Sequence, residues 1–246
     1  MLVRWLGHAT ALLVIDGVRL LTDPVLGSRV GPLVRTARPA GGASLGAVDY
    51  VLLSHLHADH ADLPSLRRLG SSTPILAPSP AARWLRRAGF AQVAELRAGE
   101  DVRVGAVRVL ATEARHDGRR RPLGPSGGPL GYVVEGSRSA YFAGDTDLFD
   151  GMAELRGRID VALLPVWGWG RSLGPGHLDP ERAATAAGII APRIAIPIHW
   201  GTFALGRPWR RAADPAWPAR RFKELTADRA PAVEVRILAP GDDTEV

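Results

Sequence analysis

Three of the seven histidines crowd into one short stretch, Ser54-His55-Leu56-His57-Ala58-Asp59-His60. Imidazole nitrogens and a carboxylate oxygen set this close are the donors that hold a divalent cation, zinc in the first place, with manganese or iron as alternatives. Without a shared cation, packed imidazoles are costly to desolvate. On a helix, His55 and His57 would point about 200° apart and could not converge on one ion. On an extended segment, residues two apart share a face. The stretch is therefore expected to be a loop in which His55 and His57 serve one ion, while Asp59 and His60, beyond the bend, face a second. Four side chains do not fill two coordination spheres, so distant residues must contribute.

Candidates stand where other apolar runs end. His116 follows Val107 to Leu110 after a short polar stretch, Asp145 follows Ala140-Tyr141-Phe142, and His199 closes Ile194 to Ile198. Metal-type residues emerging from buried strands are what a site at a sheet edge needs. His8, in a Gly-His-Ala-Thr turn, reads as a neighbour of the ligands or part of the site wall. His177, in a Gly/Pro-rich loop, reads as a proton donor or substrate contact. Asp23, in Thr-Asp-Pro, is either a turn former or a carboxylate holding a ligating imidazole by its other nitrogen. Trp167, Trp169 and Arg171 follow another apolar run and Arg119 follows His116, an arrangement that suits an anionic substrate with an apolar part. A capped surface loop with its Trp packed inward is the alternative.

The elements that must position these groups are legible as short apolar runs. Leu2 to Leu6, Ala11 to Ile15 and Val18 to Leu21 read as strands, the last two joined by an Asp16-Gly17 hairpin turn. Tyr50 to Leu53, Val102 to Val104, Val107 to Leu110, Tyr132 to Val134, Ala140 to Phe142, Val161 to Leu164 and Ile194 to Ile198 read as buried strands. Helical patterns cover Pro64 to Leu69, Ala81 to Ala88, Leu148 to Leu155, Pro180 to Ile190 and Ala219 to Ala227. Asp62 and Asp179 stand as N-caps before prolines. Hairpins followed by strands alternating with helices predict an α/β (α+β) protein whose sheets are covered by helices on their outer faces, in a single domain spanning residues 1–246.

Composition narrows the function classes. The 246 residues are 46% apolar and 23% charged, which fits a globular protein with a sizeable core. No apolar run reaches the length of a membrane span and the first residues lack a secretory pattern, so a cytoplasmic location is expected. Zero Cys excludes disulfides, a thiolate nucleophile and any Cys-ligated metal. The net charge of +6 comes from 31 basic residues, of which Lys223 is the single lysine. Their scattered pairs read as solvated charge, so nucleic acid is not the expected partner.

The segment His55-Leu56-His57-Ala58-Asp59-His60 resembles the His-x-His-x-Asp-His signature of the metallo-β-lactamase superfamily, and His116, Asp145 in Gly144-Asp145-Thr146, and His199 match its later positions. Trp5-Leu6-Gly7-His8-Ala9-Thr10, His177-Leu178-Asp179-Pro180 and Ile198-His199-Trp200-Gly201-Thr202 resemble the branch that holds N-acyl-phosphatidylethanolamine phospholipase D and bacterial lactonase-like hydrolases, among them the L-ascorbate-6-phosphate lactonase type. The resemblance implies a four-layer αββα sandwich of two mixed sheets with helices outside and a dinuclear zinc site on one edge. It assigns His55, His57 and His116 to one ion, Asp59, His60 and His199 to the other, and Asp145 as a bridge. His57 stands where diiron oxygen-reducing relatives carry Glu, which argues against redox chemistry.

Two divalent ions bring four positive charges, from which Asp59, Asp145 and a bridging hydroxide leave about one. Such a site brings the pKa of its water from about 15.7 towards 7 and stabilises charge developing in acyl or phosphoryl transfer. The expected function is hydrolysis of a phosphodiester in a small-molecule or lipid-like anionic substrate, with Asp59 orienting the nucleophile and passing a proton and His177 as a second catalytic candidate. A lactonase or other carboxylic ester hydrolase is the alternative, and a non-catalytic metal-holding or nucleic-acid-binding protein is the alternative from another class. The Gly/Pro-rich segment 121–131 reads as a candidate lid.

Overall fold

Asp16 and Gly17 both take left-handed backbone angles, φ 50° and 81°. Such a two-residue turn twists with the strands it joins, here Thr10–Ile15 (β2) and Val18–Thr22 (β3), paired from Ile15 opposite Val18. The computed structural model describes residues 1–37, 45–120, 124–168, 174–205 and 214–246. Leu2–Gly7 (β1) pairs antiparallel with β2, while Tyr50–Leu52 (β6), Ile75–Pro78 (β7) and Val93–Leu96 (β8) extend from β3 in parallel. With the C-terminal Asp243–Glu245 (β17) beside β1, they make a seven-stranded mixed sheet.

A second seven-stranded sheet repeats this plan. Asp101–Val104 (β9), Val107–Glu113 (β10), Leu130–Glu135 (β11) and Ser139–Phe142 (β12) are antiparallel neighbours. Val161–Pro165 (β13), Ile194–Ile198 (β14) and Glu234–Val235 (β16) continue in parallel from β12. Arg29–Val30 (β4), Leu33–Arg35 (β5) and Phe203–Leu205 (β15) form a small third sheet.

The period-2 alternation of strand side chains sorts residues between layers. From the first sheet, Leu13, Ile15, Leu20, Leu52 and Leu76 join Val107, Val109, Tyr132 and Val134 of the second in one buried core. Their strand neighbours Val51, Ile75 and Ala77 point the other way, onto Leu66 of Leu63–Leu69 (α1) and Leu85 of Ala82–Arg87 (α2). Pro180–Ile190 (α3) and Trp217–Arg229 (α4) pack side by side against the second sheet through residues such as Ala183, Ala187 and Phe222. The order helices, sheet, sheet, helices is the αββα sandwich expected from the sequence. Asp62 and Asp179 cap α1 and α3, accepting from the backbone N–H of Ser65 (3.0 Å) and Arg182 (2.8 Å). Each cap contributes about 1 kcal/mol.

The segment expected to be helical at Leu148 to Leu155 is instead a 3₁₀ helix over Asp150–Leu155. Gly151 at its second position weakens α-helix formation, Phe149 ahead of it supplies no side-chain cap, and a short run tolerates the tighter winding. Among the described residues no helix is long and apolar enough to cross a membrane.

The strand directions explain where chemistry gathers. β1 and β3 are each antiparallel to β2, so they run the same way as the parallel arm that contains β6. By the same logic β10 runs with β12, β13 and β14. The ends leading to His8, Asp23 and His55 therefore open on one edge of the first sheet, and those leading to His116, Asp145 and His199 on one edge of the second.

Candidate metal centre

The cluster is built by backbone that few residue types accept. Of the five described non-glycine residues with positive φ, His8 (55°), Asp23 (30°) and His199 (64°) lie here. Each sits immediately after a strand, and strain of about 1 kcal/mol or more per residue persists only where the surroundings over-determine the conformation. The His8 carbonyl accepts from the indole Nε1 of Trp5 and from the His199 N–H, both at 2.9 Å, and its own N–H donates to Thr202 Oγ1 at 2.7 Å. Trp5 in turn stacks on Trp200, ring centroids 5.0 Å apart. Arg35 donates to the carbonyls of Gly27 (3.0 Å) and Leu6 (3.4 Å) and lies over the ring of Phe203, tying together the segments around Asp23 and His8.

Asp23 is the hub of the first sheet's edge. It is fully buried and can only accept, so the His60 ring donates to it from Nδ1 at 2.7 Å. It also accepts from the Ser54 N–H (2.7 Å) and hydroxyl, which leaves that hydroxyl oxygen to accept from His55 Nδ1 at 2.9 Å. On the second sheet, His116 Nδ1 donates to the Gly176 carbonyl (2.9 Å) and His199 Nδ1 to the Trp167 carbonyl (2.7 Å). His177 Nδ1 donates to the Gly174 carbonyl at 3.1 Å. Each of these rings is thus held by Nδ1 with its Nε2 lone pair left over.

Those lone pairs converge. His55 Nε2 and His116 Nε2 lie 3.0 and 3.2 Å from His57 Nδ1. His60 Nε2 and His199 Nε2 are 3.2 Å apart, and each stands 3.2–3.3 Å from the carboxylate of Asp145. Donor atoms of His55, His57 and His116 fall within 4.8 Å of one another, as do those of His8, Asp59, His60 and His199. His116, Asp145 and His177 form a third such group. Asp145 Oδ1 is buried and finds no hydrogen-bond donor among the described residues. Lone pairs facing one another around an orphaned carboxylate oxygen suit cations, and the residues present fit metal ions.

For every proposed ligand but His60, the electrostatics favour the protonation state a cation needs. Burial, reinforced by neighbouring imidazoles, holds His55 well below its ordinary range, His57 at about 4 and His199 at about 3. Burial also lowers His116. Burial works against ionisation of Asp145 and Asp59, yet the surrounding imidazoles and, for Asp59, the bond from His8 keep both carboxyls well below 3.8. His60 goes the other way: burial opposes its charge, but Asp145 and Asp23 raise it well above 6.5.

Replacing Asp23 by Asn should weaken metal binding roughly tenfold to a hundredfold, since ring-holding carboxylates of this kind carry that weight. Chelator competition measures it, and unchanged affinity would contradict the hub.

Other expected site residues divide. Trp167 is half-buried; its carbonyl holds His199 and its ring meets Trp217 edge-on, centroids 5.7 Å apart. Arg119 is exposed, its N–H donating to Asp117 Oδ1. Its neighbour Arg120, in the same basic run after His116, instead reaches under the histidine loop to the carbonyls of Leu56 and Ala61, both 3.0 Å, and covers Trp84. Trp169 and Arg171 lie outside the described residues, as do 121–123 of the candidate lid. Sequence reasoning also missed Ser54, though its place between strand end and His55 is a signal in hindsight, and Thr202.

Comparison with known proteins places this geometry in a family context. Residues 18–200 match the model described as Beta-lactamase superfamily domain. A UPF0173 metal-dependent hydrolase of Methanopyrus kandleri is 34% identical over 256 residues, covering 100% of both chains. An N-acyl-phosphatidylethanolamine-hydrolyzing phospholipase D 1 of Caenorhabditis elegans is 30% identical over 229 residues, which span 82% of this chain and 64% of that one. Among solved structures, Igni18, a metallo hydrolase from the archaeon Ignicoccus hospitalis, superposes with a TM-score of 0.76 at 24% identity, covering 99% of this chain and 97% of that one.

Proposed function

We propose that this chain, which belongs to the beta-lactamase superfamily and is a metal-dependent hydrolase, holds two zinc ions and cleaves phosphodiesters. The observation that carries the reading is the ring of inward lone pairs around Asp145 Oδ1. His55, His57 and His116 would hold one ion, Asp59, His60 and His199 the other, with Asp145 between them. When bound, the two ions acidify a water and offset the negative charge that builds on the phosphoryl oxygens. The C. elegans relative, named for hydrolysing a phospholipid, supports a phosphodiester over a carboxylic ester.

The chain's own groups then divide the work. Asp59 accepts one proton from the attacking water as the new oxygen–phosphorus bond forms. His177 is a quarter exposed, with Nε2 3.7 Å from Asp145 Oδ2, so its ring faces both the site and solvent. Protonated, it donates from Nε2 to the leaving oxygen as the old phosphorus–oxygen bond breaks, giving a phosphomonoester and an alcohol. Solvent exchange restores both groups.

His177→Gln should therefore slow cleavage of alkyl leaving groups by roughly a hundredfold while leaving p-nitrophenolate release within a few fold, because a good leaving group needs no proton. Equal losses with both substrates would assign His177 to binding instead. The function itself is tested by turnover of bis-p-nitrophenyl phosphate. Activity should vanish on chelation and return with zinc. Zinc-dependent cleavage of lactones without phosphodiester turnover would replace the substrate class, and inertness across both panels would overturn the enzyme.

A further inference from the structure

Three features compete once the ligand set is accounted for. A shallow groove of about 470 Å³ between the 3₁₀ segment and α3 is flanked by Arg156 and Arg229, but both guanidinium groups are already spent on helix carbonyls. Trp217, 46% exposed, leans on Trp167, yet neighbouring residues 206–213 lie outside the described chain. His8 is the feature on which several independent contacts agree.

We infer that His8 is a positioning residue that clamps the Asp59 carboxylate through Nε2 and braces the His199 ring, without itself ligating a metal. Resting on the metal site proposed above, the inference begins with reach: Nε2 of the nearly fully buried His8 stands 3.2 Å from Asp59 Oδ2. A carboxylate accepts, so the imidazole donates from Nε2, and that nitrogen has no lone pair to offer a cation while the bond holds.

The nitrogen used separates the two roles. His55, His60, His116 and His199 each commit Nδ1 to a protein oxygen, whereas the His8 contact with Asp59 runs through Nε2. His8 also lies against His199 at 3.9 Å and 36°, one ring covering the other, with Phe203 edge-on at 5.4 Å. Its backbone is pinned from both sides by Trp5, Thr202 and His199, and its φ of 55° lies in the sparsely populated left-handed region. A side chain fixed at this cost, far along the chain from Asp59, sets the rotation of that carboxylate and the tilt of His199 together. Asp59 and His199 share one group of close donor atoms with His60, and His8 lies within reach of the same group, so the clamp acts on that metal position.

Three substitutions test this. His8→Phe keeps the ring against His199 and removes the donor; His8→Gln restores a donor at the reach of Nε2; His8→Ala removes both. Zinc affinity by chelator competition, read independently of turnover, should show one of two sites weakened roughly tenfold to a hundredfold in His8→Phe, more in His8→Ala, and largely recovered in His8→Gln. The cobalt-substituted protein should keep two ions and its coordination number in His8→Phe, and kcat should fall with KM little changed. Loss of one ion with a changed cobalt spectrum would make His8 a ligand and overturn the inference. Full affinity and kcat in His8→Phe would reduce it to packing and overturn it equally. A wild-type protein that binds two zinc ions but hydrolyses nothing would defeat the proposed function and leave the affinity test of His8 standing.

Discussion

Replacing Asp145 with Asn is expected to lower kcat/KM for phosphodiester cleavage by at least about a thousandfold, on the order of 4 kcal/mol of transition-state stabilisation. The carboxylate stands 3.2 Å from His60 Nε2 and 3.3 Å from His199 Nε2, both of one proposed metal position, and shares a group of close donor atoms with His116 of the other. Asn preserves the shape, removes the charge and aims N–H donors into a space lined with lone pairs. Metal content should drop with activity, because the charge that balances two divalent ions falls by one. The folded chain itself should survive, since burial already works against this carboxylate and its neutral replacement removes that cost. Steady-state kinetics, metal analysis and a melting curve on one preparation check all three statements. Retained activity at full metal content would remove Asp145 from the centre.

Gly144→Ala should be strongly destabilising. A Cβ there would lie 2.5 Å from Ser54 Cβ and 3.0 Å from the Leu130 carbonyl, and the backbone holds φ at 62°. Neither neighbour is a flexible side-chain end. Overpacking and left-handed strain together cost about 3 kcal/mol or more. For a chain of this size that corresponds to a fall of roughly 10 °C in Tm. The displaced residue is Ser54, which passes Asp23's hold to His55. Metal affinity should therefore fall further than the stability loss alone explains, a difference that chelator competition at low temperature isolates. A Tm within a few degrees of the parent would show that the strand ends shift freely.

How much of this was legible beforehand follows from the range of the signals. The histidine loop was readable because its donors are neighbours and extended backbone puts His55 and His57 on one face. Strand interiors such as Leu13 to Ile15 and Leu20 announced themselves as short apolar runs around the Asp16-Gly17 turn signal. His116, Asp145 and His199 lie far apart in the chain: their places after apolar runs made them candidates, the family resemblance assigned them to ions, and strand direction brings their ends to one shared edge. Roles made by tertiary contact left no local trace. Arg120 and Arg119 are indistinguishable in sequence, yet only the first reaches Leu56 and Ala61. The ring direction of His8 depends on a positive φ that no propensity foretells. Two- and three-residue strands such as β4 and β16 are shorter than any period they could display, and the 3₁₀ turn over 150–155 differs from an α-helix by less than the pattern resolves.

Anomalous diffraction at the zinc edge from crystals of zinc-loaded protein addresses the central claim most directly. Two peaks are expected, one among His55, His57 and His116 and the other among Asp59, His60 and His199, with Asp145 reaching both. An empty cluster, or metal bound elsewhere while these rings keep their present positions, would contradict the account.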